Sequence, residues 1–265
     1  MTQVNFEFSP LSPFGVEARS AFKNISDDAI EAPHIDAIKT AIANHGVLLF
    51  RKQHIDDHQF VAFLRRLGSL TFTVGETPVA HHPDLNVVTN IGRTTPPKSV
   101  FHTDTSYVAH PPAYTALRAV TLPMVGGETL FSNQYLAYDT LPAQVKHALA
   151  DAKVLHVATG VVQGPTEERE SWHPLFQRHP ITGQQALFLS TPARCQAITG
   201  LPDDTAKRVI KALYRHSIRP SRLYRHAWQP GDVLVWDNRC TMHRADHAQV
   251  SSDRVLHRGL VLPAR

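Results

Sequence analysis

Apolar positions in the first third of the chain recur at helical spacing and then give way to strand-like runs. Ile35, Ile38, Ala41 and Ile42 fall on one face of a helix that begins near His34, and Gly46 supplies its stop. The run Val47 to Phe50, "VLLF", is short and uniformly apolar and reads as a buried strand. Asp56 or Asp57 caps a second helix, whose apolar stripe of Phe60, Phe63, Leu64 and Leu67 ends at Gly68.

From about residue 86 the pattern becomes a series of short β-type runs separated by Pro and Gly. They are "NVVTNI", "AYTALRAV", "ETLFSN", "VLHVA", "ALFLS", "DVLVWDN" and "RVLHRGLVL". Two helices interrupt them, one over 139–150 and one from Asp203 with Ala206, Val209, Ile210 and Leu213 on its buried side. Many short strands with turn signals predict a mixed, mainly β fold, a sandwich or jelly roll in place of a parallel α/β sheet. The polar segments 93–100 and 159–174 read as lids or binding loops. There is no internal repeat, and 265 residues suit a single domain over 1–265.

Composition narrows the function classes. No stretch approaches 18 uninterrupted apolar residues, and the opening "MTQVNFEFSPLSPFG" lacks a basic region followed by an apolar block. We therefore expect a soluble, unsecreted chain with no membrane partner. Two cysteines, Cys195 and Cys240, fit a reducing compartment such as the cytoplasm. A net charge of +4 without a basic run or stacking aromatics argues against nucleic acid and is compatible with a small anionic substrate. A homo-oligomer is equally compatible.

With 17 histidines, most must be structural. His-x-Asp occurs four times, and composition alone yields about one. His34/Asp36 and His54/Asp56 sit at helix starts, where Asp is expected as a cap or first-turn residue. His82-Pro83-Asp84 reads as a turn, with Asp84 bonding to backbone. Only His102-Thr103-Asp104 lies in a run rich in Val, Phe, Thr and Tyr, where residues two apart share a strand face and converge on one ion. The best third ligand is His243, just beyond the turn that follows Val233 to Trp236. Two imidazoles and one carboxylate on one face of a metal are the set used by non-heme Fe(II) oxygenases, although catalytic zinc uses similar ligands. Cys240-x-x-His243 as a structural zinc pair is disfavoured, because no C-x-x-C supplies the other half. Arg254 and Arg258 share a strand face with Leu256, an arrangement costly in a dry core, so the face is either a solvent-facing edge or a pair of anion receptors inside a barrel.

The segments "HTDTSY", "GGETLFSN", "HPLFQRHPITGQQALFLS" and "WQPGDVLVWDNRCTMHRAD…RVLHRG" resemble the Fe(II)/2-oxoglutarate-dependent taurine dioxygenase and 2,4-dichlorophenoxyacetate dioxygenase (TauD/TfdA) family. The resemblance runs from about residue 35 to the C-terminus. It implies a double-stranded β-helix (jelly roll, cupin-like) core with flanking helices, and Fe(II) held by His102, Asp104 and His243. It also implies 2-oxoglutarate bound through Thr129 and Arg254, and a substrate anion met by Arg258. With O2 the expected reaction hydroxylates a small carboxylate, sulfonate or phosphonate, with or without C–heteroatom cleavage, and releases succinate and CO2. Thr71 stands where the family's taurine enzymes place a histidine, and the asparagine expected before the metal motif is missing from "PPKSVFHTD". Those departures point away from taurine and leave His81, His82, Lys98 and Tyr107 as candidate substrate contacts. The alternatives from other classes are a non-catalytic anion or sugar binder on the same jelly roll and a zinc hydrolase using the same ligands. Neither needs the carboxylate receptor at Thr129 and Arg254.

Overall fold

The computed structural model describes residues 6–20, 22–92, 100–160, 164 and 167–263. In chain order it forms β1 (Phe6–Pro10), β2 (Val16–Ser20), α1 (Ala32–His45), β3 (Val47–Phe50), α2 (Asp57–Leu67), β4 (Leu70–Thr71), β5 (Pro78–Val79), β6 (His82–Thr89), β7 (Tyr114–Thr121) and β8 (Thr129–Asn133). There follow α3 (Gln134–Asp139), α4 (Ala143–Ala148), β9 (Lys153–Val157), β10 (Glu170–Pro174), β11 (Phe176–Arg178), β12 (Gln185–Leu187), β13 (Cys195–Ile198), α5 (Asp203–Ser217), β14 (Leu223–His226), β15 (Val233–Asp237), β16 (Thr241–Ala245) and β17 (Val255–Val261). The fold is mainly β with a few helices, as the apolar pattern predicts.

Nine strands make the principal sheet, ordered β1-β2-β3-β15-β7-β17-β6-β5 with β4 on the far end of β17. Its central strands are apolar on both faces because both faces are covered. Leu48, Phe50, Val233 and Val235 point into a core with α1 and α2, built on Ile38, Ile42, Phe60 and Leu64. Their neighbours Val47, Leu49, Leu234 and Trp236 point the other way and pack with Leu117, Leu256, Phe131 and Tyr224. Phe131 and Tyr224 belong to a second sheet, β14-β8-β16, which therefore faces the principal one. A third apolar cluster joins α5 to β9 and β13 through Ile210, Leu213, Val154 and Ile198.

The helix ends follow local chemistry. The Asp56 carboxylate accepts the Gln59 N–H at 2.8 Å while the Gln59 side chain accepts the Asp56 N–H, closing the start of α2. At α1 the Glu31 N–H donates to His34 Nδ1 at 2.9 Å, so His34 is a buried capping histidine. Gly46 ends α1 at φ 74°, and a Cβ there would lie 2.9 Å from the Thr241 hydroxyl.

Four expectations need correction. The helix expected over 139–150 is confined to α4, Ala143–Ala148, which Pro142 begins, and a separate short helix, α3, precedes it and ends at Asp139. The segment 159–174 is not all loop: Glu170–Pro174 pairs along the free edge of β9. Asp84 lies within β6 and pairs with Arg65 at 2.9 Å instead of closing a turn. The metal motif is not in a strand. His102 makes one isolated antiparallel bridge with His243, and residues 104–107 turn away from it.

Candidate metal centre and its cavity

The bridge between His102 and His243 brings the sequence candidates together. Each backbone N–H donates to the other residue's carbonyl at 2.9 Å, which sets the two imidazoles side by side with ring centroids 4.3 Å apart. Thr103 faces away, its hydroxyl donating to Leu189 O at 2.7 Å, so the extended backbone returns Asp104 to the side of His102. Asp104 Oδ1 lies 3.5 Å from His102 Nε2, and Oδ2 lies 3.9 Å from His243 Nε2. One ligand atom from each residue falls within 4.8 Å of the others.

The protonation states suit a divalent cation. Burial pushes the His243 imidazole down to about 3 against the pull of Asp104, so the ring is neutral near pH 7. Burial also opposes ionisation of Asp104, but the facing His243, Arg258 and His102 outweigh it and hold the carboxyl well below the usual range. His102 Nδ1 sits 2.9 Å from Val100 O, which assigns its proton to Nδ1 and leaves Nε2 free as a ligand. A neutral His243 imidazole, the His102 ring with its Nε2 turned to the same side, and one carboxylate fit the ligand set of a non-heme Fe(II) centre.

A relay that the sequence reading did not identify orients the carboxylate. The Thr115 hydroxyl donates to Asp104 Oδ2 at 2.8 Å, Asn238 Nδ2 donates to the Thr115 oxygen at 2.8 Å, and Trp236 Nε1 donates to Asn238 Oδ1 at 3.1 Å. Trp236 and Asn238 stand in "VLVWDN", so proximity to His243 was a signal. Thr115 on β7 had none.

The two histidines open onto a cavity of about 610 Å³ between the two sheets, lined in part by His102, His243, Trp236, Thr129, Arg254 and Arg258. Arg254 is almost fully buried at 1% exposure, and burial pushes its guanidinium down to about 10. Its Nε donates to Gly127 O at 2.8 Å and its Nη2 to the Thr129 hydroxyl at 3.3 Å, while Nη1 has no partner among the described residues. Gly127 has φ 80°, and a Cβ there would sit 2.9 Å from Arg254 Cδ, so the second glycine of "GGET" makes room for the arginine. A buried fork whose Nη1 is unused, beside a hydroxyl, fits a carboxylate.

Arg258 turns towards the triad, with Nη1 3.6 Å from Asp104 Oδ1 and Nη2 3.5 Å from Glu76 Oε1. Tyr107 lies one layer behind the cavity wall, its ring 5.2 Å from the Arg194 guanidinium carbon. His81 is exposed at a turn with φ 63° before β6 and is not among the described lining residues, and neither is His82. Lys98 lies outside the described residues. Cys240 is a buried free thiol whose polar neighbours include Asp237 O, the Thr241 hydroxyl and Tyr135, none of them in the triad. Among the described residues no helix is long and apolar enough to cross a membrane.

A profile of the "Taurine catabolism dioxygenase TauD, TfdA family" matches residues 7–260. The alpha-ketoglutarate-dependent 2,4-dichlorophenoxyacetate dioxygenase of Burkholderia sp. (strain RASC) is 29% identical, over 89% of this chain and 88% of its own. The alpha-ketoglutarate-dependent sulfate ester dioxygenase of Pseudomonas putida is 28% identical, over 92% and 85%. A crystal structure of a taurine dioxygenase from Burkholderia xenovorans superposes with a TM-score of 0.84 at 29% identity, covering 98% of this chain and 92% of that one. The chain therefore belongs to the TauD/TfdA family and is an Fe(II)- and 2-oxoglutarate-dependent dioxygenase, with O2 as its oxidant.

Proposed function

We propose that the chain acts as one dioxygenase domain on a double-stranded β-helix formed by the principal sheet and β14-β8-β16, with His102, Asp104 and His243 as the metal ligands. In this reading Thr129 and Arg254 receive the distal carboxylate of 2-oxoglutarate, and Arg258 receives an anionic group of the substrate. The supporting observation is their convergence: His102, His243, Thr129, Arg254 and Arg258 all border one cavity, and Asp104 lies against both imidazoles. Bound Fe(II), 2-oxoglutarate and O2 supply oxidative decarboxylation to succinate and CO2 together with oxidation of a substrate carbon.

The protein's own part is placement. Arg254 and Thr129 would hold one end of the cosubstrate, the two imidazoles and the ionised Asp104 would hold the metal, and the Trp236-Asn238-Thr115 relay keeps Asp104 from rotating. Leu117, Val88 and Trp236 line the cavity with apolar surface and keep water from the reacting carbon. Named substrates of the relatives are anions, a phenoxyacetate and a sulfate ester. By that likeness the substrate here is a small carboxylate, sulfonate, phosphonate or sulfate ester, hydroxylated, and cleaved where the hydroxylated carbon bears a heteroatom. A cytoplasmic setting accords with two buried free thiols. The binder and zinc hydrolase alternatives leave the Arg254 receptor without a purpose.

Adding Fe(II) and then 2-oxoglutarate to the apo protein under argon tests the assignment. A weak visible charge-transfer band that is absent in His243→Ala and needs more 2-oxoglutarate in Arg254→Ala is expected. A band indifferent to both substitutions would refute the ligand and receptor roles.

A further inference from the structure

Arg194 is the third arginine of this cavity, and the roles above leave it unused. It lies in the turn that precedes β13, where its backbone N–H donates to Thr191 O at 2.9 Å and its carbonyl accepts from the Val157 N–H at 2.9 Å. The turn is thereby tied to β9 and points the side chain inward. Arg194 is 9% exposed and lines the same cavity as His102, His243 and Arg258. Its side chain makes one hydrogen bond among the described residues, from Nη1 to the Thr103 carbonyl at 3.0 Å, and its Nε–H has none. The Tyr107 ring supports the guanidinium from 5.2 Å.

Burial of the Arg194 guanidinium outweighs the pull of Tyr107 and of the Asp104 carboxylate, and no carboxylate is within ion-pair distance of it among the described residues, so its burial is costly unless something else uses it. Arg258, in contrast, already has two carboxylates at hand, Asp104 and Glu76. Once a cation engages Asp104, and the Glu76 side chain, 32% exposed, swings to solvent, both arginines present charge to the cavity that they line together. We infer that Arg194 is a second substrate-binding residue, and that the cavity takes a substrate with two anionic groups, one at Arg258 and one at Arg194. This rests on the proposed anion-receiving role of Arg258. Arg194 thereby sets specificity, separating substrates charged at both ends from those charged at one.

Calorimetric titration of the Fe(II)–2-oxoglutarate-loaded protein under argon tests the inference, with propane-1-sulfonate and the α,ω-alkanedisulfonates from methane to butane as probes. At least one disulfonate should bind about tenfold tighter than the monosulfonate. Arg194→Gln should erase that gap, and Arg194→Lys, which keeps charge without the fork, should retain part of it. The 2-oxoglutarate requirement of the visible band, measured in the same variants, separates direct contact from bracing of the Thr103 loop. No gap in the wild type, or a gap lost only in proportion to metal and 2-oxoglutarate binding, would overturn the inference while leaving the proposed function intact. If the band forms and no sulfonate binds at all, the anionic-substrate reading and this inference fall together.

Discussion

At the residue scale, the site depends on groups that hold the ligands in place. Thr115 is buried and passes a hydrogen bond from Asn238 to Asp104, so Thr115→Val keeps the shape and removes the donor. Loss of such an outer partner costs about 10–100-fold in metal affinity, and Fe(II) or Mn(II) titration of the variant should read that loss without loss of fold. Arg254→Lys preserves charge but not the fork that spans Gly127 O and Thr129, so it should raise the 2-oxoglutarate concentration needed for half-saturation by about tenfold or more. His102 and Asp104 were legible as a pair because i and i+2 project together over any extended backbone. Thr115 and Arg194 were not, since a threonine in an apolar run and an arginine after Thr-Pro-Ala look ordinary until other strands surround them.

At the scale of elements, apolar spacing located α1, α2, α5 and most strands, because burial of one stripe or of both sheet faces is what the spacing encodes. It failed where local chemistry was overruled from elsewhere. Pro142 delays the start of the helix expected over 139–150 to Ala143, and the edge of β9 captures Glu170–Pro174 from a polar, loop-like segment. Contact between α2 and β17 is also set by a single position. A Cβ on Gly259 would lie 2.2 Å from Leu64 Cδ1 and 3.2 Å from Leu85 Cδ2, both on fully buried side chains. Gly259→Ala must push α2 outward or force Leu64 off its rotamer, at a cost of about 1–3 kcal/mol. A urea melt should show a lower midpoint with an unchanged slope.

At the scale of the whole molecule, Asp237 ties distant parts together. Its N–H donates to Gly46 O at the end of α1, and its carboxylate meets His179 at 3.0 Å and Arg239 at 2.7 Å. Burial pushes the carboxyl up, but the His179 hydrogen bond and Arg239 outweigh it and hold the group below its ordinary value. A carboxyl depressed on folding stabilises the native state fully above its unfolded pKa of about 4, and that contribution drains away as pH falls through the folded value. Asp237→Asn leaves Arg239 without its buried partner, so it should cost about 3–5 kcal/mol at pH 7. The gap in Tm between variant and wild type should narrow below about pH 4, and a gap independent of pH would refute the assignment.

The sequence by itself determined the family, the mainly β class, the metal-ligand candidates and the two candidate anion receptors, one just before the last strand and one within it. Each of these is written in short-range spacing or in a motif whose residues lie within a few positions of one another. Only the tertiary structure decided that His102 bridges His243, that Thr115 reaches Asp104 from β7, and that Arg194 enters the cavity which Arg254 and Arg258 share. Those contacts join residues far apart along the chain. They arise from the register of strands and from the facing of two sheets, which depend on how every covered face packs and are not encoded at any one position.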